Sequence, residues 1–211
     1  MAKIARLDRP AIQELQARLL EWYEQNRRDL PWRRTPDPYS IWVSEIMLQQ
    51  TRVSAVVDHY RSFLKRFPTV TALAQASEQD VLAELSGLGY YRRARMLHKA
   101  AQFVANQLGG NLPKTAEGLR ALPGVGAYTA AAIASIAHGE PVAVVDGNVE
   151  RVLCRLAGWD LGSRAGGAAL KRQIDALAAQ LVNPSRPGDS NQAIMELGAT
   201  VCLPRSPKCN E

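Results

Sequence analysis

Long apolar runs are missing from this 211-residue chain, and so is an apolar leader. Its hydrophobic stretches are broken by Gly, Pro or a charged residue short of the ~18 residues a membrane span needs, so no transmembrane helix is expected. The first residues, MAKIARLDRPAI, lack the apolar core of a signal peptide. Cysteine is scarce at three residues, an odd number. With no export signal, that argues against a disulfide framework and for a cytoplasmic setting. Strand-like runs are almost absent: PVAVVD at 141–146 stands alone and is too isolated to build a sheet. No repeat or low-complexity segment is found.

Positive charge is what the chain has in excess. Lys and Arg number 26 against 20 acids, giving +6 and a pI near 9.5. A polyanionic partner fits that balance, because each phosphate contact releases condensed counterions, although a basic protein of any other kind also satisfies it. The length suits one sizeable core or two small helical lobes sharing a cleft. Helical spacing runs nearly throughout. Asp8 can cap a first helix with Pro10 in its first turn and Ile12, Leu15, Leu19 and Trp22 on one face. A basic, Pro-rich loop follows, then a helix from Pro38 to about Gln49, and a third carrying Val53, Val56, Val57, Tyr60, Phe63, Leu64 and Phe67. Ser77 with Asp80 opens a short helix ending at Gly87, and the next stops at Gly109-Gly110. The class is all-α.

Three segments carry chemistry. In LPGVGAYTAAAIASIAHG a short helix runs into Leu122-Pro123-Gly124-Val125-Gly126, and an Ala-rich helix follows. Glycines two apart permit a tight turn and close backbone approach, and the amides opening the second helix face outward at its positive dipole end. Such a hairpin grips phosphate without reading sequence. An ordinary glycine-rich helix–helix turn is the bland alternative. Asp146, in AVVDGNVERV, ends an extended stretch just ahead of a helix. It is either an N-cap or a carboxylate that stabilises positive charge on a sugar whose N-glycosidic bond is breaking. Glu45, in WVSEIMLQQTRV, lies among Trp42, Val43, Ile46 and Met47. It is either a solvated surface residue or an acid whose pKa desolvation raises, able to protonate a leaving purine. Gln49, Gln50 and Thr51 at the end of that helix are side chains able to fill the gap an extruded base leaves.

LQQTRV, GLGYYRRARML, LPGVGAYTA, VDGNVERV and NQAIMELGATVCLPRSPKC together, in this order and from about Leu20 to Cys209, resemble the A/G-specific adenine DNA glycosylases, the MutY family. The resemblance implies a two-lobed helix-hairpin-helix DNA glycosylase fold with DNA in the cleft between the lobes. One lobe would span 30–140 and the other 1–29 with 141–211. It implies a monofunctional, base-flipping enzyme that excises adenine from A:8-oxoguanine or A:G mispairs in double-stranded DNA, acting as a monomer. Glu45 would protonate adenine N7, Asp146 would stabilise the oxocarbenium-like sugar, and Asn148 would orient the site. Tyr128 falls where the sister endonuclease III group has a lysine. Gln50 and Tyr90 match residues that wedge into the duplex, with Thr51 beside them and the hairpin Leu122, Gly124, Val125 and Gly126 on the backbone. Arg28, Trp32, Arg33 and Gln192 match the adenine pocket, with core packing as the alternative for Trp32 and Tyr90.

The family pattern is departed from twice. A [4Fe–4S] cluster on C-x6-C-x2-C-x5-C needs four thiolates, and this chain has Cys202 and Cys209, the first pair only, with Cys154 away on an earlier helix. A C-terminal domain that helps recognise 8-oxoguanine is also absent, so a truncated catalytic domain is expected. Two rivals remain: an endonuclease III-like pyrimidine glycosylase and lyase, which would need an amine at Tyr128, and a non-catalytic DNA-binding fragment.

Overall fold

Asp8 opens the first helix as its side chain accepts a hydrogen bond from the Ala11 amide at 3.0 Å, and α1 runs Arg9–Asn26 with Pro10 in the first turn. In this computed structural model residues 8–89, 91–160 and 167–210 are described. Among them are eleven α-helices, one short 3-10 turn and no strand.

The chain divides into two compact units, Met1–Arg28 with Gly139–Glu211, and Asp29–His138. In the first, α1 packs with α9 (Gly147–Ala157), α10 (Gly167–Leu181) and α11 (Pro187–Thr200). Ile12, Val149, Leu153, Cys154, Ile174 and Ile194 are central to its core. The buried stripe of α1 is Ile12, Gln16, Leu20 and Tyr23 rather than the expected Ile12, Leu15, Leu19 and Trp22, of which the last three are half-buried. A polar residue sets that rotation. Gln16 donates to the carbonyls of Gln180 (2.9 Å) and Val182 (3.3 Å), covering groups left over where α10 ends.

The PVAVVD run takes no regular secondary structure and finds no partner strand among the described residues. Buried Asn191 on α11 takes the partner's place, accepting from the Val144 amide at 3.0 Å and donating to the Val142 carbonyl at 2.8 Å. The segment that delivers Asp146 is therefore pinned from a helix.

The second unit holds the 3-10 turn Pro31–Arg33, α2 (Pro38–Leu48), α3 (Val53–Arg66), α4 (Val70–Gln75), α5 (Glu78–Glu84), α6 (Tyr91–Gln107), α7 (Ala116–Arg120) and α8 (Ala127–His138). Four of these helices begin on a polar cap, at Asp37, Thr69, Ser77 and Thr115. The Thr69 cap announces α4, a six-residue helix too short to show a period in the sequence. Helix α2 is the centre of this unit. Every residue from Ile41 to Met47 is buried, and α2 packs on α8 and α3. Tyr39 donates its hydroxyl to the Phe67 carbonyl at 2.9 Å, and burial pushes its phenol pKa up, so it remains a neutral donor.

Candidate active site

A helix buried on all sides has no solvated face for a carboxylate, yet α2 carries one. Glu45 is only 6% exposed, between Ser44 and Ile46 at 1% and 5%. Buried carboxylates are uncommon because removing the charged form from water is costly, and function is a standard reason to keep one. The surface alternative for Glu45 is thereby excluded.

Helix α2 ends in a tight turn in which the Thr51 amide donates to the Leu48 carbonyl at 3.2 Å. Exposed Gln50 sits in this turn with φ of +57°, in the left-handed region that a side chain bearing Cβ disfavours. Left-handed backbone costs such a residue about 1–2 kcal/mol, and glycine returns part of that gain as unfolded-state entropy. Gln50→Gly is therefore expected to leave stability unchanged or raise it by up to about 1 kcal/mol, read from the urea midpoint. A clear loss would show that the Gln50 side chain itself holds the turn.

The hairpin joins α7 to α8. Leu122 and Val125 are buried at 3% and 7%, anchoring the loop, while Gly124 and Gly126 are exposed. At Gly124 φ is +75°, and a Cβ would lie 2.6 Å from that of Met96, so both the turn and the close packing on α6 require glycine. Gly126 differs: a Cβ there would meet nothing within 4 Å. Helix α8 then starts with first-turn amides that have no carbonyl four residues back within the helix, and half-buried Tyr128 is its second residue.

The loop ahead of α2 is more committed internally than its basic composition suggests. Trp32 is 7% exposed and packs edge-on against Tyr60, centroids 5.4 Å apart at 76°. Arg33 is half-buried, its amide donating to Leu30. Arg28 makes a fork to Glu196 of α11: Nε to Oε1 and Nη2 to Oε2, both 2.7 Å, with its backbone amide on Oε1 at 3.0 Å. The Glu196 side chain has no exposure, and its bond to Arg28 holds the guanidinium pKa above its ordinary value. Gln192 is half-buried and donates to the Gly188 carbonyl of its own helix at 3.3 Å. Tyr90 lies outside the described residues.

Asp146 takes the first of its two readings, the N-cap, and leaves its second oxygen to a neighbouring side chain. One carboxylate oxygen caps α9, accepting from the Val149 amide at 2.7 Å, and the other accepts from the Asn148 side-chain amide at 3.0 Å. Half-buried, it keeps contact with solvent. Asn148 is itself held. Its carbonyl oxygen accepts from Arg151 at 2.8 Å, and Arg151 also donates to the Gly198 and Cys202 carbonyls at 2.7 and 2.9 Å. Gly198 has no room for a side chain, since a Cβ would stand 2.8 Å from that of Asn148. Glu45 belongs to the unit Asp29–His138, and Asp146 to the other. Glu196, Arg151 and Asn191 were not singled out in the sequence. Arg151 had a usable signal, three residues past Asn148 on one helix face.

The cysteines do not make a four-thiolate site. Cys154 is 1% exposed inside α9, and burial pushes its thiol pKa up. Half-buried Cys202 follows α11, its sulfur 3.4 Å from an Arg155 nitrogen, and Cys209 is exposed. Among the described residues no group of three or more His, Cys, Asp or Glu could hold a metal ion. A [4Fe–4S] cluster needs one ligand more than the chain's three cysteines. The residues present therefore do not fit that group. The loop after α11 is braced by arginine instead: Arg155 donates to the Leu203 and Pro204 carbonyls at 2.6 and 3.0 Å.

An all-helical chain with a glycine hairpin opening a helix, and a carboxyl sealed into a core helix, has the fold of the helix-hairpin-helix DNA glycosylases. A solved thermostable thymine-DNA glycosylase superposes with a TM-score of 0.82 at 30% identity, over 95% of this chain and 91% of that one. A trapped endonuclease III–DNA covalent intermediate superposes at 0.79 with 19% identity, over 98% and 93%, a likeness of fold alone. Residues 43–179 match the HhH-GPD superfamily of base excision DNA repair proteins, and the chain belongs to that family. The human adenine DNA glycosylase is 50% identical over 202 residues, 92% of this chain but 37% of the human protein. The chain spans well under half the length of the human, rat and mouse relatives it matches, at 37%, 39% and 40%. No helix among the described residues is long and apolar enough to cross a membrane.

Proposed function

We propose that the chain is a monofunctional DNA N-glycosylase that removes adenine mispaired with 8-oxoguanine or guanine in double-stranded DNA. The observation that carries this is the burial of Glu45, a carboxyl only 6% exposed in the most enclosed helix of its unit. Identity of 50% with the human adenine DNA glycosylase supports the choice of adenine.

In this reading the target nucleotide is turned out of the stack at a cost of a few kcal/mol, which contacts to the base and side chains entering the duplex offset. The Glu45 carboxyl gives its proton to adenine N7. The bond from sugar C1′ to adenine N9 then breaks with its electron pair leaving on the base. Positive charge spreads over C1′ and the ring oxygen, and the Asp146 carboxylate, steered by Asn148 and Arg151, stabilises it. Water adds at C1′ and an abasic sugar remains. The hairpin amides around Gly126 hold a backbone phosphate while this happens.

The strand should stay intact. Tyr128 stands where an amine would be needed, and a phenol cannot form a Schiff base with the sugar. On an A:8-oxoguanine duplex, breaks should appear only after alkali, and borohydride should trap no protein–DNA adduct. Tyr128→Lys should gain some trapping. Efficient trapping by the unaltered chain would move the assignment to an endonuclease III-like lyase, and duplex binding with no adenine release would reduce it to a binding module.

A further inference from the structure

GLGYYRRARML holds an arginine that the reading above leaves without a task. Arg93 is the third residue of α6, half-buried, and its guanidinium is surrounded by carbonyls. Nη1 donates to Ile46 (2.9 Å), Met47 (3.3 Å) and Gln49 at the end of α2. Nη2 reaches the Thr51 hydroxyl at 3.3 Å and the Leu88 and Gly89 carbonyls, both at 3.4 Å. The last carbonyls of a helix have no partner within it, and a cation there also meets the negative end of the dipole. Capping alone would explain the bonds to Ile46 and Met47. It explains the Gln49 bond as well, since Gln49 is the C-cap of α2, but not why the same group reaches past left-handed Gln50 to Thr51 and then to a second loop.

We propose that Arg93 is a positioning residue that keeps Gln50 in its left-handed turn and ties that turn to the Leu88–Gly89 segment, so that the Gln50 side chain is presented to the duplex in one fixed orientation. Strained backbone persists only where its surroundings over-determine it. Here the surroundings include the turn's own bonds, Thr51 to Leu48 and to Gln49, and one guanidinium bonded to the residue on each side of the strained one. The task suits arginine specifically. Five fixed donors can serve acceptors from two loops, whereas an ammonium offers three and no plane. This rests on the reading that Gln50 enters the helix beside the extruded base.

The test follows extrusion directly, through the fluorescence of 2-aminopurine placed opposite 8-oxoguanine in the target position. Arg93→Lys should lose about tenfold in extrusion while its Kd for an undamaged duplex stays within about twofold. Gln50→Ala should lose extrusion too, and the double variant should be no worse than Gln50→Ala, because Arg93 acts through Gln50. Normal extrusion by Arg93→Lys beside a defective Gln50→Ala overturns the proposal, as do losses that multiply. Normal extrusion by Gln50→Ala overturns the assignment of Gln50 itself, and with it the proposal. Stability gives a readout that survives poor folding. Glycine holds the turn without a brace, so adding Gln50→Gly to Arg93→Lys should recover at least about half of the lost urea midpoint. No recovery overturns the coupling.

Discussion

Single-turnover release of adenine from an A:8-oxoguanine duplex should fall by on the order of 10²-fold or more in Glu45→Gln, with duplex affinity nearly unchanged. Glutamine keeps the size and a hydrogen-bonding end but has no proton to give. The site at 6% exposure is already shaped for a side chain of that size, so the protein should fold with little loss. A fall in rate without a fall in binding separates proton donation from a structural role. Release at close to the ordinary rate would remove Glu45 from the mechanism and leave its burial unexplained.

The second large effect concerns stability. Arg28→Met should cost about 2–3 kcal/mol, because it leaves the Glu196 carboxylate, which has no exposure, without its fork of donors. The figure is at the low end for a buried pair because the Arg28 side chain is 38% exposed and water can partly replace it. Arg28→Met with Glu196→Leu should recover most of the loss, since an apolar pair of similar volume removes the buried charge that has lost its counter-ion. The measurement is urea unfolding of the two single variants and the double one. A double variant no better than Arg28→Met would mean that Arg28 matters for something other than Glu196.

That ion pair also marks where the sequence stops being readable. Arg28 belongs to an evidently basic loop, and a resemblance can assign it to the adenine pocket. Nothing in NQAIMELGA says that Glu196 is the residue it meets, because the two are brought together only by the packing of α1 on α11. Gln16 is a similar case: the periodicity of α1 is visible, but from Gln16 on its buried face lies one position past the apolar one, because a polar residue is inside. Local features fared better. Asp8 and Ser77 cap helices as their spacing predicts, and Gly124 turns where the hairpin requires it. These depend on neighbours within four residues. Glu45 falls between the two. Its apolar neighbours hinted at burial, but only the packing of α2 on α8 and α3 removes the solvated face it could have occupied.

Asn191 has a further consequence, for how the protein keeps itself apart from its own copies. An extended segment usually finds its hydrogen bonds in an adjacent strand, and any strand pair leaves an outer edge whose amides and carbonyls invite another chain to add on. Residues 141–146 avoid this, since one buried amide supplies both the donor and the acceptor that a strand would have offered at Val142 and Val144. The segment leading to Asp146 is held by Asn191, a side chain that cannot be extended into a growing sheet. At those two positions a side chain, and not a strand edge that another chain could copy, satisfies the backbone.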